Sequence, residues 1–291
     1  MDPVHKRKAL RGKLLNLIHA YRDDGPMAGV TRWKPRRVYC TNQPDHTDQP
    51  GQLFVVKFLQ GQPGAAALIS EVVATSLLRF AGFQTLDPFV VGVSDGFAQS
   101  CNASSDYPYR VVSGLHFGTM HRDDVEAGPP LVYDDLAKPS EVVELWVADT
   151  WLSNIDRQVD GNTLLKVTTS GKFRLIAADQ SDCFCGAVSF CSDQMERRMC
   201  TARTAPSIQC LAQVLFNHGG PGLIRTAIQR VRSCVPLINN VINLVPEEWW
   251  NISRIDPERV RRVLENRAGH LEQILHPDQW EVPHGGTALF I

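Results

Sequence analysis

The chain has 291 residues, which is more than one small hydrophobic core organises, and this length predicts two domains. Hydrophobic residues make up 43% of the sequence and charged residues 21%, as in an ordinary soluble globular protein. The formal net charge of −1 excludes a polycation that binds nucleic acid through its overall charge, so we expect no direct nucleic-acid partner.

Neither a membrane span nor a secreted disulfide framework is expected. No segment approaches the roughly 18 uninterrupted apolar residues of a spanning helix, and the early apolar run LLNLIHAY is too short for a signal-peptide core. The eight cysteines are too sparse for a disulfide scaffold. Those at 183–200 are spaced C-x-C-x5-C-x8-C, which is atypical of a zinc site. We therefore expect a cytoplasmic protein.

The first 118 residues carry mainly strand patterns. Apolar residues at helical spacing predict a helix over residues 3–22, and a second apolar run predicts a helix over 66–82 that Gly82 ends. Residues 94–108 are predicted to form a polar loop. Strands are predicted where apolar and β-branched residues cluster, at residues 36–42, 53–59, 86–93 and 109–115.

Helical patterns dominate after an irregular connecting segment at residues 120–140. A helix is predicted over 141–155, followed by the strands TLLKV and FRLIA on either side of the turn TTSGK, which is a hairpin signal. From about residue 207 to about 275 the pattern is helical again, and Asp256 before Pro257 marks the start of one helix.

This order of elements predicts an α+β fold with two lobes. The predicted N-lobe, residues 1–118, contains an antiparallel sheet and one principal helix. The predicted C-lobe, residues 119–291, is mostly helical with an embedded β-hairpin. A cleft between two domains is where small ligands usually bind, so we expect the functional site between the lobes.

Three side chains in the second half have the chemistry of metal-assisted phosphoryl transfer. Asp156 follows the predicted helix 141–155, Asn162 comes six residues later, and Asp179 ends the strand FRLIAAD. One carboxylate would orient an attacking hydroxyl, while the amide and the second carboxylate would hold the magnesium that bridges nucleotide phosphates. Each residue also fits an ordinary turn or capping role. The hypothesis of phosphoryl transfer therefore rests on the order in which the three residues occur.

Two charged residues in the first half fit the same chemistry. Lys57 lies within the apolar strand LFVVKFL, where a lysine is costly unless it meets an anion. Glu71 lies fourteen residues later, among apolar neighbours of the predicted helix 66–82. Kinases use such a lysine–glutamate pair to place the nucleotide phosphates. The alternative is an edge-strand lysine and a solvated glutamate.

The remaining parts of such a site are less distinct in the sequence. Arg157 would neutralise developing charge or hold its loop, and the alternative is a surface arginine. A glycine-rich loop should precede the Lys57 strand, but residues 41–52 contain only Gly51 and no GxGxxG pattern.

Four of these segments together resemble the HipA-like kinases, within the kinase-like group that includes the phosphatidylinositol kinases. The segments are FVVKF, ISEVVATSLLRFAGF, NIDRQVDGN and IAADQSD, and the resemblance covers roughly residues 30–275. NIDRQVDGN is similar to the phosphatidylinositol-kinase loop D-R-x-x-D-N with one residue inserted. The chain departs from the motif I-D-H-G, because Gln180 stands where the histidine often occurs.

The resemblance implies a role for each candidate residue in a protein-kinase-like fold. Lys57 and Glu71 would place ATP, Asp156 would be the catalytic acid or base, and Asn162 and Asp179 would bind Mg²⁺. The segment 112–118, which includes His116, would form the hinge against adenine. Toxin-type members phosphorylate protein serines and are restrained by an antitoxin, so the resemblance implies a protein substrate and an antitoxin or other regulatory partner.

Three alternatives remain open on the sequence alone. The acceptor could be a small molecule or a lipid headgroup, because the sequence does not reveal the acceptor pocket. A nucleotide-binding pseudokinase that acts as a regulatory module is a second alternative. A zinc-binding scaffold built on the cysteines at 183–200 is a third, outside the kinase class.

Overall fold

The structure is a computed structural model that describes residues 15–27, 34–43, 51–103, 109–127, 132–158, 162–192, 194–201, 204–206, 208 and 210–277. The predicted helix 3–22 therefore lies outside the described residues up to residue 14, and so do parts of the loops predicted at 41–52 and 94–108.

The strands of the described chain are β1 (Leu17–Pro26), β2 (Arg36–Thr41), β3 (Gln52–Lys57), β4 (Pro88–Val93), β5 (Gly114–Met120), β6 (Glu126–Ala127), β7 (Thr163–Val167) and β8 (Phe173–Ala177). The helices are α1 (Gly61–Phe80), α2 (Asp95–Ala103), α3 (Ser140–Leu152), α4 (Ala187–Phe190), α5 (Met195–Thr201), α6 (Leu211–Asn217), α7 (Gly220–Arg232), α8 (Ile238–Ile242), α9 (Glu247–Ser253) and α10 (Pro257–Leu275). Short 3-10 turns lie at Tyr133–Asp135 and Val235–Leu237.

The contacts divide the chain into two compact units. The first comprises Met1–Gly64 and Asp87–His121, and the second comprises Ala65–Leu86 and Arg122–Ile291, each within its described residues. The helix α1 is therefore assigned almost entirely to the second unit, although it follows the strands of the first unit in sequence.

The first unit is a closed barrel with the strand order β1-β2-β3-β5-β4. Neighbouring strands are antiparallel except β1 and β4, which pair in parallel, so the sheet is not the purely antiparallel one predicted. Alternate side chains such as Ile18, Val38, Phe54 and Val56 fill the interior, as the period of two in a strand requires. Lys57 follows Val56 and so points to the opposite face of β3.

The second unit contains a helical core and the small sheet β6-β7-β8. The helix α3 packs against α7 and α10, and its two tryptophans donate to distant backbone carbonyls. Trp151 Nε1 donates to Leu264 O at 2.9 Å, and Trp146 Nε1 donates to Ala205 O at 3.1 Å. The strands β7 and β8 pair antiparallel from Thr163 with Ala177 to Val167 with Phe173. This pairing places the end of β8 beside the start of β7.

The helix α1 is apolar on nearly all sides because it is a core element. Among the described residues it is the helix long and apolar enough to cross a membrane, yet 83% of its apolar window is buried inside the protein. A helix that is hydrophobic all round belongs either in a core or in a bilayer. Burial inside the protein accounts for the apolar composition of α1, so no membrane is needed to explain it.

Several predicted elements are confirmed within a few residues of their bounds, and three are wrong. Residues 17–22 form a strand rather than a helix. Part of the predicted polar loop 94–108 forms α2, which begins where Ser94 Oγ accepts the Phe97 N–H at 3.2 Å. The strand predicted at 109–115 runs instead over 114–120. The side-chain amide of Asn102 bonds both backbone groups of Val111 at 2.8 Å, which takes that residue out of the sheet.

Candidate active site

The loop after α3 presents Asp156 at a defined position. The helix α3 ends where Ser153 adopts the left-handed conformation, with φ of 50°. Asn154 N–H then donates to Asp149 O at 2.9 Å, and Asn154 Oδ1 accepts the Asp156 N–H at 3.0 Å. These bonds reverse the chain, so that Asp156 is half-buried while Ile155 before it is 54% exposed.

Asn162 is oriented by Asp156 itself. Asn162 Nδ2 donates to Asp156 O at 2.6 Å and to Asp156 Oδ2 at 3.0 Å. An amide that donates through its nitrogen presents its carbonyl oxygen on the other side, and that oxygen is a suitable ligand for a hard cation. The structure therefore brings together the first two residues of the predicted set, across a loop that includes residues 159–161, which lie outside the described chain.

Asp179 lies directly after β8 and beside the same loop. Ala178 N–H donates to Asn162 O at 3.1 Å, which aligns the end of β8 with Asn162. Asp179 has a φ of 46° and accepts hydrogen bonds at Oδ1 from the N–H and the hydroxyl of Ser181. This turn fixes the carboxylate next to the loop that carries Asp156, so the three residues predicted from sequence lie on two adjoining segments of one unit.

Arg157 has a fully buried side chain, and the catalytic role predicted for it stays a prediction. Its guanidinium bonds both oxygens of Asp149, at 2.8 and 2.9 Å, and also Asn162 O, Ala178 O and Gln180 Oε1. Burial alone would lower the pKa of Arg157, but the Asp149 carboxylate outweighs that effect and the pKa is raised. These hydrogen bonds connect the loop after α3 to α3 itself and to the segments that carry Asn162 and Asp179.

Glu71 belongs to the same part of the second unit. Its side chain is buried on α1, and Glu71 Oε2 accepts the Gln180 N–H at 3.0 Å. One carboxylate oxygen thus holds the residue that follows Asp179. Lys57, in the first unit, is only 7% exposed although it faces away from the barrel interior. The predicted pairing of Lys57 with Glu71 stays a prediction.

The side chain of His116 is hydrogen-bonded within the barrel, and its predicted role in nucleotide binding stays a prediction. His116 Nδ1 accepts the Leu59 N–H at 2.7 Å, and Nε2 lies 3.0 Å from Val112 O. The two bonds require the neutral ring with its proton on Nε2, and burial lowers the pKa to about 4. Both ring nitrogens are therefore occupied by the protein's own backbone.

The hinge predicted at 112–118 also stays a prediction. Residues 114–120 form β5, and the chain passes from the first unit to the second at His121–Arg122. The only glycine of the predicted phosphate loop, Gly51, donates its N–H to Tyr21 Oη at 3.0 Å. Residues 44–50 of that loop lie outside the described chain.

The cysteines at 183–200 are not arranged as a metal site. Among the described residues no group of three or more His, Cys, Asp and Glu side chains could hold a metal ion. Burial raises the pKa of Cys183 well above its usual range and also raises the pKa of Cys185 and Cys191. Metal ligation requires thiolates, so these environments oppose it.

Asp149 and Gln180 are functional candidates that the sequence interpretation missed. Both are buried, and both contact the guanidinium of Arg157. Asp149 is a carboxylate inside the otherwise apolar stretch LWVADTWL, and a buried carboxylate requires a partner. That signal could have identified Asp149, whereas nothing in the sequence distinguishes Gln180.

Comparison with known proteins shows the fold. No protein-family model and no curated protein sequence matches the chain. Among solved structures, the Helicobacter pylori proinflammatory kinase CtkA is similar with a TM-score of 0.50 and 11% identity, over 88% of this chain and 95% of CtkA. HipA of Shewanella oneidensis MR-1, solved with HipB and operator DNA, is similar with a TM-score of 0.45 and 10% identity, over 96% of this chain and 72% of HipA. The likeness to CtkA shows a kinase-like fold of the α+β class for this chain.

Proposed function

We propose that the protein is an ATP- and Mg²⁺-dependent kinase that transfers the γ-phosphate to a serine or threonine hydroxyl of a protein. The observation that carries this proposal is the bonding of Asn162 Nδ2 to Asp156 with the end of β8 alongside, which sets an acid, an amide oxygen and a second acid on adjoining segments. Phosphoryl transfer needs little more from a protein than positioning and charge stabilisation, and these groups supply both.

The residues fit a magnesium ion. Asn162 Oδ1 and the Asp179 carboxylate are hard oxygen ligands, and Mg²⁺ is typically bound by one or two carboxylates together with substrate phosphates and water. When bound, the ion would neutralise charge on the transferring phosphoryl group. The Ser181 hydrogen bonds to Asp179 Oδ1 fix the orientation of the carboxylate that would serve as this ligand.

Asp156 is the proposed acceptor-orienting group. Its Oδ2 accepts from Asn162, which holds the carboxylate in one rotamer, and the residue is only half-buried. A fixed carboxylate can accept a hydrogen bond from an incoming hydroxyl and align the oxygen for in-line attack. Lys57 is the proposed ligand of the nucleotide phosphates in the first unit. Segment 112–118, which includes His116, is the proposed contact of adenine.

Purified protein with labelled ATP and Mg²⁺, compared with the Asp156→Asn variant, tests the proposal. Dephosphorylated casein and phosphatidylinositol vesicles serve as acceptors, and intact mass reports phosphate on the chain itself. Transfer to casein or to the chain that is lost in the variant supports a protein kinase. Transfer to the lipid alone would favour a lipid-headgroup kinase, and Mg²⁺-dependent ATP binding without transfer would favour a pseudokinase.

A regulatory partner, such as an antitoxin, belongs to the same proposal. It would be found by purifying the tagged chain from its own cells and identifying the proteins that remain bound at a stoichiometric level. We also propose that the protein is located in the cytoplasm.

A further inference from the structure

A buried cluster of three side chains lies behind the proposed catalytic loop. We call Asp149, Arg157 and Gln180 the Arg157 cluster, and all three are almost completely buried. Asp149 lies on α3, Arg157 on the loop that follows α3, and Gln180 on the segment after β8. The cluster therefore joins the three segments that carry the proposed site.

The guanidinium of Arg157 donates hydrogen bonds from all three of its nitrogens. Nε and Nη2 bond the two oxygens of Asp149, and Nη2 also bonds Gln180 Oε1 at 2.7 Å. Nη1 bonds Asn162 O and, at 2.7 Å, Ala178 O. Five donors in a rigid fork fix the relative positions of their acceptors more strictly than the single rotatable ammonium of a lysine could.

Three of the four residues that accept from Arg157 either are a proposed site residue or adjoin one. Asn162 O belongs to the proposed metal ligand itself, while Ala178 and Gln180 immediately flank Asp179. Asp149 also accepts from Asn154 Nδ2 at 3.1 Å, and Asn154 Oδ1 accepts the Asp156 N–H. Asp156 is thus held from both sides by groups that Asp149 orients, Asn154 before it and Arg157 after it.

We propose that Asp149 and Gln180 are positioning residues, which act through Arg157 to set the separation between the Asp156 loop and the Asp179 segment. This role rests on the proposed kinase function. It assigns the arginine after Asp156 to the interior of the protein, where Asp149 occupies it permanently.

A purely structural ion pair would have different consequences. Breaking a buried pair leaves an uncompensated charge and lowers stability wherever the pair lies in the fold. Residues that orient metal ligands also change metal affinity or activity, by about 10- to 100-fold on substitution. The dependence of nucleotide binding on Mg²⁺, measured well below the unfolding temperature, separates these two roles.

The decisive variant is Gln180→Met, which removes one of the acceptors of Arg157 Nη2 while keeping a side chain of similar length. The readout is binding of a non-hydrolysable ATP analogue at increasing Mg²⁺ concentration, with labelled transfer measured in parallel. We expect the half-saturating Mg²⁺ concentration to rise about tenfold, while binding of the analogue without Mg²⁺ stays unchanged. Asp149→Asn should show the same shift with a larger loss of stability.

Glu141→Gln is the matched control. Glu141 forms another partly buried, bidentate pair in the same unit, with Arg174, and its loss should lower stability without changing the Mg²⁺ dependence. If Gln180→Met keeps the wild-type Mg²⁺ dependence and transfer rate, the positioning role is overturned. Should the wild-type protein itself show no Mg²⁺-dependent binding of the analogue, the proposed function fails and the positioning role falls with it.

Discussion

Asp179 is the residue on which the proposed magnesium site most depends. Its carboxylate is fixed by Ser181 at the end of β8, so replacing it removes a charged ligand without removing an element of the fold. We expect Asp179→Ala to weaken Mg²⁺-dependent ATP binding by about tenfold or more, in line with the loss of a charged interaction. Titration with ATP at saturating and at zero Mg²⁺ measures the effect.

Asp182→Ala provides the control for that experiment, because Asp182 is the next carboxylate along the same segment. Its removal should leave the Mg²⁺-dependent affinity near the wild-type value. Equal losses in the two variants would mean that the negative charge of the segment, rather than a ligand at position 179, supports binding.

Lys57 offers an independent test in the first unit. Lys57 is nearly buried, and a nucleotide phosphate beside its ammonium would favour the charged form in that environment. We expect Lys57→Met to raise the KM for ATP and to slow transfer by about 10- to 100-fold. Steady-state kinetics across ATP concentrations would show this, with the exposed Lys172→Met as control; unchanged kinetics in Lys57→Met would make Lys57 a structural residue.

At the residue scale, the types and the order of the candidate site residues could be interpreted from the sequence. The groups to which their side chains hydrogen-bond could not. Asp156, Asn162 and Asp179 follow one another on a loop and a strand end, and their types alone suggest a metal and a hydroxyl. Arg157 looked equally catalytic, because its burial depends on Asp149 and Gln180, eight residues before it and 23 after it. Asp149, Arg157 and Gln180 come together only because the end of β8 lies beside the loop that carries Arg157.

At the scale of elements, His116 connects two parts of the barrel. Its ring accepts from Leu59, just after β3, and donates to Val112, just before β5, while Phe58 packs edge-on against it at 5.2 Å. Burial lowers the pKa of His116 to about 4, so the folded protein holds the ring neutral. The unfolded chain binds the proton near its usual pKa of about 6.5.

This depressed pKa predicts a loss of stability at mildly acidic pH. Because the unfolded state takes up the proton first, the contribution of His116 is complete above about pH 6.5 and is lost as the pH falls toward 4. We expect the free energy of unfolding to fall by roughly 2 to 3 kcal/mol more in wild type than in His116→Gln between about pH 7.5 and 4.5. Urea unfolding of both proteins measures this difference, and parallel pH profiles would contradict it.

The elements that were predicted correctly have strong local signals, and the others depend on neighbours. The strand β3, the helix α1 and the pair β7–β8 carry unambiguous periodicity or turn chemistry. The strand β1 contains Leu17, Ile18 and Tyr21, which continue the helical spacing of the preceding residues, and its pairing with β2 and β4 overrides that pattern. One sequence does not decide whether the helical spacing of a segment or its pairing in a sheet determines its conformation.

At the scale of the whole molecule, the position of α1 in the sequence associates it with the first unit, whereas its contacts associate it with the second. It directly follows the strand of Lys57, yet its contacts group it with the second unit, and Glu71 bonds the segment after Asp179. The division into lobes at residues 118 and 119 stays a prediction. The contact grouping implies that α1 shares the stability of the helical unit rather than that of the barrel, since contiguous packed groups tend to open cooperatively.

Hydrogen exchange of two core variants tests that implication. Ile18→Ala removes a buried side chain from the barrel, and Leu264→Ala removes one from α10, each at a cost of about 2 to 5 kcal/mol. We expect Ile18→Ala to accelerate exchange in the barrel strands while α1 and α3 stay protected. Leu264→Ala should accelerate exchange in α3, α10 and α1 together. If α1 instead followed the barrel in both variants, Glu71 would be held by the first unit, and its bond to Gln180 would be a secondary contact.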